Sequence, residues 1–303
     1  MLNLLLYTAV LIFAIVLFAK FVKYSTMPLH LRWEIYPVPH DPKHEHGGSY
    51  YEEVEWWRKP RQRTLIGELK DMLMEMIFIK KVFTYKRPLW WLTYPFHTGI
   101  YLILAWFVLL FISAIIDIFG IRILSIPVYY LTLLVGAIAM ALIFIFGIAL
   151  LIRRIADWEL RSYSSFLDYF NLVFILAVVA TGIFAWQSDT DFSVAKNYMK
   201  ALITFSAPPS VALATQLHIV LLSLLLIYLP FTKMTHFLAK WFTYHKILWE
   251  DEPNVRGGEM EAKLKKYLSE YKVKWSAPHV NPDLNWADEA SRCDLGGVCE
   301  VRK

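Results

Sequence analysis

Five long apolar runs constrain this chain more than any other feature of its sequence. The runs are Leu2 to Phe18, His97 to Phe119, Val128 to Ile152, Phe166 to Trp186 and Val211 to Phe231. A run of about 20 apolar residues is long enough to cross a bilayer, and in lipid such a run satisfies its own backbone as an α-helix. With 57% hydrophobic residues and a mean hydropathy of +0.42, the sequence predicts an all-α, multi-pass membrane bundle of five transmembrane helices.

The first run has two interpretations, a secretory signal or a retained membrane anchor. A signal peptide has basic residues before its apolar stretch and small residues at a cleavage site. Here Lys20 and Lys23 follow the apolar stretch, and no such cleavage site is present. We therefore expect residues 1–23 to be a transmembrane anchor helix.

Basic residues are distributed unevenly between the loops. They cluster after the first, third and fifth runs, whereas the other two loops contain mainly Arg122, Lys196 and Lys200. Cytoplasmic loops are enriched in Lys and Arg, so we expect the N-terminus outside and the C-terminus in the cytoplasm. The formal net charge of +5 is then explained by topology and contact with anionic lipid, without a nucleic-acid partner. The clusters comprise Lys20, Lys23, Arg32, Arg58, Lys59, Arg61, Arg63, Lys80, Lys81, Lys86 and Arg87; Arg153, Arg154 and Arg161; and Lys233, Lys240 and Lys246.

Three histidines lie in or beside the predicted spans. His218 and His236 are eighteen residues apart on segment 211–237, which is typical of one membrane helix, so both imidazoles are expected on one face, roughly 27 Å apart. His97 opens the second span, which runs opposite to the fifth, so His97 and His236 are expected at matching depth near the cytoplasm. Each alone is explained as an interfacial polar residue. Together they predict a six-coordinate haem iron suited to electron transfer.

His218 lies deeper, towards the outside. A buried imidazole without a partner costs roughly a few kcal/mol, so a metal or a hydrogen-bond partner is expected. The facing residues of the second span, 104–108, contain no strong iron ligand. The sequence therefore leaves open whether a second haem is bound through His218.

Three stretches resemble the cytochrome b (gamma) subunit family of respiratory nitrate reductases. They are YPFHTGIYLILAW (94–106), LLIRRIADWELRSYSSFLDY (150–169) and QLHIVLLSLLLIYLPFTKMTHF (216–237). The resemblance implies two stacked b-type haems, each held by one histidine of the second helix and one of the fifth. His97 and His236 match one such pair and His218 matches half of the other. The remaining ligand falls at Phe107, where this chain departs from the pattern.

A second resemblance concerns the long segment that contains RWEIYPVPH (32–40) and GGSYYEEVEWWRKP (47–60). It is similar to membrane cytochromes that accompany heterodisulfide-reductase-like iron–sulfur proteins, the DsrM and HmeC subfamily. This resemblance implies menaquinone as substrate, a cytoplasmic iron–sulfur partner, other membrane subunits of a complex, and sulfite or sulfate respiration. A nitrate reductase-type gamma subunit is the alternative.

These interpretations divide the chain into four segments. We expect an anchor at residues 1–23, a cytoplasmic segment at 24–96, a four-helix haem-binding bundle at 97–237 and a cytoplasmic tail at 238–303. The chain would act as a menaquinol-oxidising subunit only within a complex. Two other classes remain: a transporter whose histidines relay protons, and a membrane anchor without a redox function.

The polar segments carry weaker signals. Leu65 to Val82 is amphipathic, as expected of a helix on the membrane or on a partner, and Glu259 to Tyr271 predicts a short helix. On the cytoplasmic side, Arg153 and Arg154 are candidate partners for haem propionates or for lipid headgroups. Neither the histidines of the Pro/Gly-bounded loop nor the two cysteines form a recognised metal motif. Those residues are His40, His44, His46, Cys293 and Cys299.

Overall fold

The structure, a computed structural model, describes residues 2–26, 65–243, 256–277 and 280–292. Within these ranges the chain is helical and forms no β-strand, which confirms the predicted all-α class. The α-helices are α1 (Leu2–Thr26), α2 (Leu65–Phe78), α3 (Lys80–Tyr85), α4 (Arg87–Phe119), α5 (Arg122–Ala156), α6 (Trp158–Ser162), α7 (Phe166–Gln187), α8 (Ser193–Thr204), α9 (Leu213–Tyr228), α10 (His236–Thr243), α11 (Glu259–Glu270) and α12 (Trp286–Ala290).

Five of the described helical segments are long and apolar enough to cross a membrane, as the sequence predicts. They are Leu2–Thr26, Arg87–Phe119, Ile123–Ala156, Phe166–Gln187 and Leu213–Phe231. Most of their surface faces outward, as expected of helices solvated by lipid. The protein is therefore a multi-pass membrane protein, and its orientation in the membrane stays a prediction.

The second span begins earlier than hydropathy indicates. The sequence predicts a start at His97, whereas α4 begins at Arg87. Pro88 lies in the first turn, where the missing N–H is not needed, and Trp90, Trp91 and Tyr94 are helical although they belong to the interfacial aromatic belt. His97 therefore lies about 15 Å along α4 and does not open the helix.

The fifth span is interrupted, so the prediction of one continuous helix over 211–237 is wrong. Helix α9 ends at Tyr228, and two 3-10 turns, Leu229–Phe231 and Lys233–Thr235, precede α10. The cause is local: Pro230 has no N–H for a helical bond, and the hydroxyl of Thr232 accepts a bond from the N–H of Met234, which starts a new turn. His218 and His236 lie on different helices, so the five-turn register between them does not hold.

Close backbone contact joins α4 to α5. A Cβ at Gly99 would lie 2.7 Å from Cγ1 and 2.9 Å from the backbone nitrogen of Ile143, so only glycine permits this approach. The adjacent core contains Phe96 and Ile143, packed against Leu172 and Leu176 of α7. Small residues at helix crossings are the usual means of close packing in membranes. The α4–α5–α7 core therefore fixes the position of α4, the helix that carries His97.

Helix α8, which the sequence did not predict, packs against α4 and α1 at the end of the bundle opposite the Arg153–Arg154 cluster. Lys200 pairs with Asp117 of α4 at 2.8 Å, and the Tyr198 hydroxyl donates to Oδ1 of Asn3 in α1 at 2.6 Å. Burial raises the pKa of Tyr198, which keeps the phenol protonated as a donor. The first span is thereby tied to the loop between α7 and α9.

Helices α2 and α3 fill the amphipathic stretch predicted at Leu65 to Val82. They are separated at Ile79, whose φ of 52° is left-handed and ends the first helix. Residues 65–241 cluster with residues 1–25 as one compact unit. The second half of the segment predicted as cytoplasmic therefore packs with the transmembrane helices.

The described residues 256–277 and 280–292 belong to a second unit. They contain α11, which confirms the predicted helix at Glu259 to Tyr271, and α12, with the buried Val273 between them. These two ranges of the predicted tail are thus folded. His40, His44, His46, Cys293 and Cys299 lie outside the described residues.

We predict that Gly99→Ala destabilises the bundle. The added methyl group meets the backbone of α5, which cannot move aside locally, so overpacking should cost about 1–3 kcal/mol. The measurement is thermal unfolding of the detergent-solubilised protein. Ala105→Val, on the exposed face of the same helix, is the control and should leave the melting temperature unchanged. Equal melting temperatures for the two variants would contradict the packing described here.

Candidate functional site

His97 of α4 and His236 of α10 are brought together, as the sequence predicts for a shared site. Their ring centroids are 6.5 Å apart and the ring planes are inclined by 73°. No hydrogen bond joins the two rings within the described part of the chain. The Phe96 and His97 rings pack edge to face, with their centroids 5.7 Å apart. The pairing arises although His236 is not on α9, because the turns after Pro230 carry α10 back towards α4.

Each imidazole is oriented by a bond from Nδ1 to a backbone carbonyl. His97 Nδ1–H donates to the Thr93 carbonyl at 2.8 Å, and His236 Nδ1–H donates to the Lys233 carbonyl at 3.3 Å. A carbonyl only accepts, so each ring carries a hydrogen on Nδ1. In the neutral imidazole Nε2 then keeps its lone pair, and Nε2 has no protein hydrogen bond among the described residues. Histidines that bind a metal usually donate their other ring N–H to a carbonyl or a carboxylate in this way.

The spacing of the rings fits a single metal ion between them. A metal–imidazole bond is about 2 Å long, and the ring centroid lies about 1 Å behind the ligating nitrogen. Two imidazoles on opposite sides of one ion therefore have centroids about 6 Å apart, close to the 6.5 Å observed here. No group of three or more His, Cys, Asp or Glu side chains suits a metal in the described chain. An axial pair, which leaves the equatorial ligands to a porphyrin, needs only two.

Helix α4, which carries His97, is not packed tightly on α9, the span that precedes His236. Helix α4 packs mainly on α5 and α8, and α9 packs mainly on α7. Direct packing between α4 and α9 is minor by comparison. A flat, largely apolar group between α4 and α9 would therefore displace little protein–protein contact.

His218 lies apart from this pair, against α7. Its Nδ1–H donates to the Val178 carbonyl at 3.1 Å, and the Thr181 hydroxyl oxygen lies 3.3 Å from the same nitrogen. A Cβ at Gly182 would approach Cε1 of the ring to 3.1 Å, so the glycine leaves room for the imidazole. The predicted hydrogen-bond partner exists and is on the neighbouring helix. Phe107 is half-buried, and its ring contacts Trp106.

Arg153 and Arg154 have carboxylate partners in this structure. The Arg153 guanidinium lies 2.8 Å from the carboxylate of Asp157, which is four residues later in the chain. Arg154 lies 3.9 Å from Asp168 and donates to the Ser164 hydroxyl at 3.3 Å. Lys233 also pairs with Asp168. A guanidinium has five N–H donors, so these bonds leave others for a propionate, and the propionate role of both residues stays a prediction.

Sequence reasoning missed the residues that orient the histidines. Thr93 and Lys233 act through backbone carbonyls, four and three residues before their histidines, and any residue type can supply a carbonyl. The signal that was available is Pro230 followed by Thr232, a helix breaker followed by an N-cap residue. It indicates that His236 starts a new helix.

With this geometry in view, comparison with known sequences defines the class of protein. A profile of the nitrate reductase gamma subunit family matches residues 81–249, more than half of the 303 residues. The chain belongs to this family. The match contains α4 to α10 and all three histidines discussed above, and it confirms the predicted resemblance.

A curated relative is similar over a shorter stretch. It is the Hdr-like menaquinol oxidoreductase cytochrome b-like subunit of Archaeoglobus profundus, 30% identical over 118 residues. The aligned stretch is 37% of this chain and spans 34% of that relative's length. It agrees with the second resemblance drawn from the sequence.

We predict that His218→Ala weakens the contact between α7 and α9. The substitution removes the bond to the Val178 carbonyl, and interhelical hydrogen bonds in membranes contribute about 0.6 kcal/mol, with a maximum near 1.7. The protein freed of cofactors should show a small fall in stability on titration with denaturing detergent. Gln216→Ala, which removes only a bond within the start of α9, is the matched control. Unchanged stability for His218→Ala would show that the Val178 bond makes no net contribution.

Proposed function

We propose that this chain is the haem b-binding membrane subunit of a respiratory complex. The observation that carries the proposal is the His97–His236 pair, with centroids 6.5 Å apart and each Nδ1 bonded to a carbonyl. A protonated Nδ1 leaves Nε2 of each ring as the ligand atom for the iron. Membership of the nitrate reductase gamma subunit family supports the proposal.

The chain's own residues would hold and orient the group. His97 and His236 would hold the haem iron, the Thr93 and Lys233 carbonyls orient the two rings, and Phe96 packs on the His97 ring. A haem held by two imidazoles would supply one-electron transfer. We propose one haem at this pair, because the position of the family's fourth ligand holds Phe107, which cannot bind iron; a second haem at His218 would need a different ligand.

Menaquinol is the proposed electron donor, and a cytoplasmic heterodisulfide-reductase-like iron–sulfur subunit the proposed acceptor, in sulfite or sulfate respiration. The name of the Archaeoglobus relative supports the quinol. The partner rests on the resemblance of residues 32–60 to cytochromes that accompany such iron–sulfur proteins. Other membrane subunits are expected in the same complex. The proposed topology has the N-terminus outside and the His97–His236 pair towards the cytoplasm, which suits delivery of electrons to a cytoplasmic partner.

A gamma subunit of a nitrate reductase-type complex is the second candidate, because the matched family is named for that enzyme. The two candidates share the histidine pair and differ in their partner and in haem number. In the second candidate, two haems are expected, as the family pattern implies. Stoichiometry of the purified protein therefore separates them.

We predict that the purified subunit contains about one haem, with a low-spin spectrum in the reduced-minus-oxidised difference. His97→Ala and His236→Ala should each abolish this signal, because one imidazole cannot maintain six-coordination. His218→Ala should keep it. Haem-to-protein ratio and optical spectra are the measurements. Survival of the signal in both the His97 and the His236 variants would reject the ligand pair, and a ratio near two that halves in His218→Ala would establish a second haem.

We also predict that menadiol, a soluble menaquinol analogue, reduces the haem absorbance bands of the wild-type subunit anaerobically. The proposed donor should deliver electrons to the site without the cytoplasmic partner. Dithionite serves as the positive control for complete reduction. A protein that dithionite reduces and menadiol leaves oxidised would contradict menaquinol as the donor.

A further inference from the structure

The ligand histidine His236 is not held in place by the helix before it. The α-helical bonds of α9 end at Tyr228, and seven residues in two 3-10 turns and their caps separate that end from α10. His236 is the first residue of α10 and is exposed. Its position therefore depends on contacts from other elements.

Three such contacts flank His236, from three different helices. One residue before it, Thr235 accepts a hydrogen bond from Nζ of Lys20 in α1 at 3.0 Å. One turn after it, Lys240 lies 3.4 Å from Glu75 of α2. Three residues before it, Lys233 pairs with Asp168 of α7.

The Thr235 and Glu75 contacts are shielded from solvent. Thr235 is 4% exposed and Glu75 is 6% exposed, and the second carboxylate oxygen of Glu75 accepts from the Lys81 backbone N–H at 2.8 Å. Buried charged pairs are geometrically specific, because a displaced partner leaves an uncompensated charge. The Lys233–Asp168 pair is more exposed, because 63% of the lysine side chain is accessible to solvent. This pair therefore contributes less to the position of His236.

Helix α2 also contacts the helix of the other ligand at the equivalent place. The Tyr101 hydroxyl, one turn after His97, donates to the Met76 carbonyl, and the Trp90 indole N–H donates to the Phe78 carbonyl at 2.7 Å. Helix α2 is therefore bonded to α4 one turn from His97 and to α10 one turn from His236. A single element sets the separation of the two ligand helices.

From these contacts we infer that Lys20 and Glu75 are positioning residues for the axial ligand His236. Lys20 acts through Thr235, and Glu75 acts through Lys240 and joins α10 to α4 by way of α2. The first span and the amphipathic helix thus acquire a role in the metal site beyond anchoring. The inference rests on the proposed haem ligation for its spectroscopic consequences, and its structural content can be measured without haem.

The experiment compares Glu75→Gln and Lys20→Met with two controls in the full-length protein. The controls are Glu159→Gln and Lys86→Met, which remove a surface ion pair that does not contact α10. In haem-free protein, hydrogen–deuterium exchange of residues 229–243 should accelerate in Glu75→Gln and Lys20→Met and stay at the wild-type rate in the controls. Unchanged exchange in α4 and α5 shows that the bundle is folded.

The haem-loaded protein gives the second measurement. Substitution of residues that support metal ligands typically lowers metal affinity by about 10–100-fold. The affinity of the apoprotein for haemin should therefore fall about tenfold or more in both test variants. The EPR g values of low-spin ferric haem depend on the angle between the imidazole planes, and they should shift in both test variants. Lys20→Arg keeps a cation beside Thr235 and Lys240→Arg keeps a cation beside Glu75, so both variants should retain wild-type behaviour.

The outcomes separate the two proposals. Wild-type exchange rates, together with wild-type haemin affinity and g values, in both test variants would overturn the positioning role. If the wild-type protein binds no low-spin haem, the proposed function fails, and accelerated exchange of residues 229–243 would still support the contacts of Lys20 and Glu75. If Glu75→Gln does not fold, Lys240→Met tests the same ion pair, and if Lys20→Met does not fold, Lys20→Ala replaces it: wild-type exchange of residues 229–243 in these variants would overturn the positioning role, and accelerated exchange would support it.

Discussion

Inside a bilayer a polar group without a hydrogen-bond partner costs several kcal/mol, and this constraint governs the whole membrane part of the protein. It makes the spans α-helical, and it also accounts for the bond of His218 to the neighbouring span. The Nδ1–H groups of His97, His218 and His236 each donate to a backbone carbonyl. For His97 and His236, this bond uses Nδ1, and the two rings are neighbours with centroids 6.5 Å apart.

Two departures from regular helix lie on the elements that carry or contact His236. Pro230 and Thr232 end α9 and start the turns that lead to His236, and the left-handed Ile79 ends α2 where it meets α4. A straight continuation of α9 would carry His236 further along the same axis. The interruption instead brings its ring to 6.5 Å from that of His97. Because a broken helix does not fix the ligand by itself, ion pairs and hydrogen bonds from α1, α2 and α7 take over that task.

The two ends of the bundle differ in chemistry. At the end that carries Arg153 and Arg154, cations are paired with carboxylates: Arg153 with Asp157 four residues on, and Arg154 and Lys233 with Asp168 of α7. At the other end, α8 closes the bundle through Asp117 and Phe192, and Phe192 packs on the Trp106 ring. The His97–His236 pair lies towards the charged end, because Lys233 is three residues before His236. Between the two ends, His218 joins α9 to α7 by a hydrogen bond.

Sequence alone predicted the all-α class, the five spans, the resemblance to the family, and a position for both His97 and His236 at one end of the bundle. Long apolar runs admit only one backbone solution in lipid, and basic residues and span order predict the end at which each histidine lies. The start of α4 at Arg87 was missed because hydropathy does not register interfacial Trp and Tyr as helical. Only the tertiary structure decided the break after Tyr228, the carbonyls that orient the rings, and the contacts of Lys20 and Glu75. Carbonyls belong to every residue type, and Lys20 lies 215 residues from Thr235 along the chain. No local pattern encodes such a contact, because it exists only once the helices have packed.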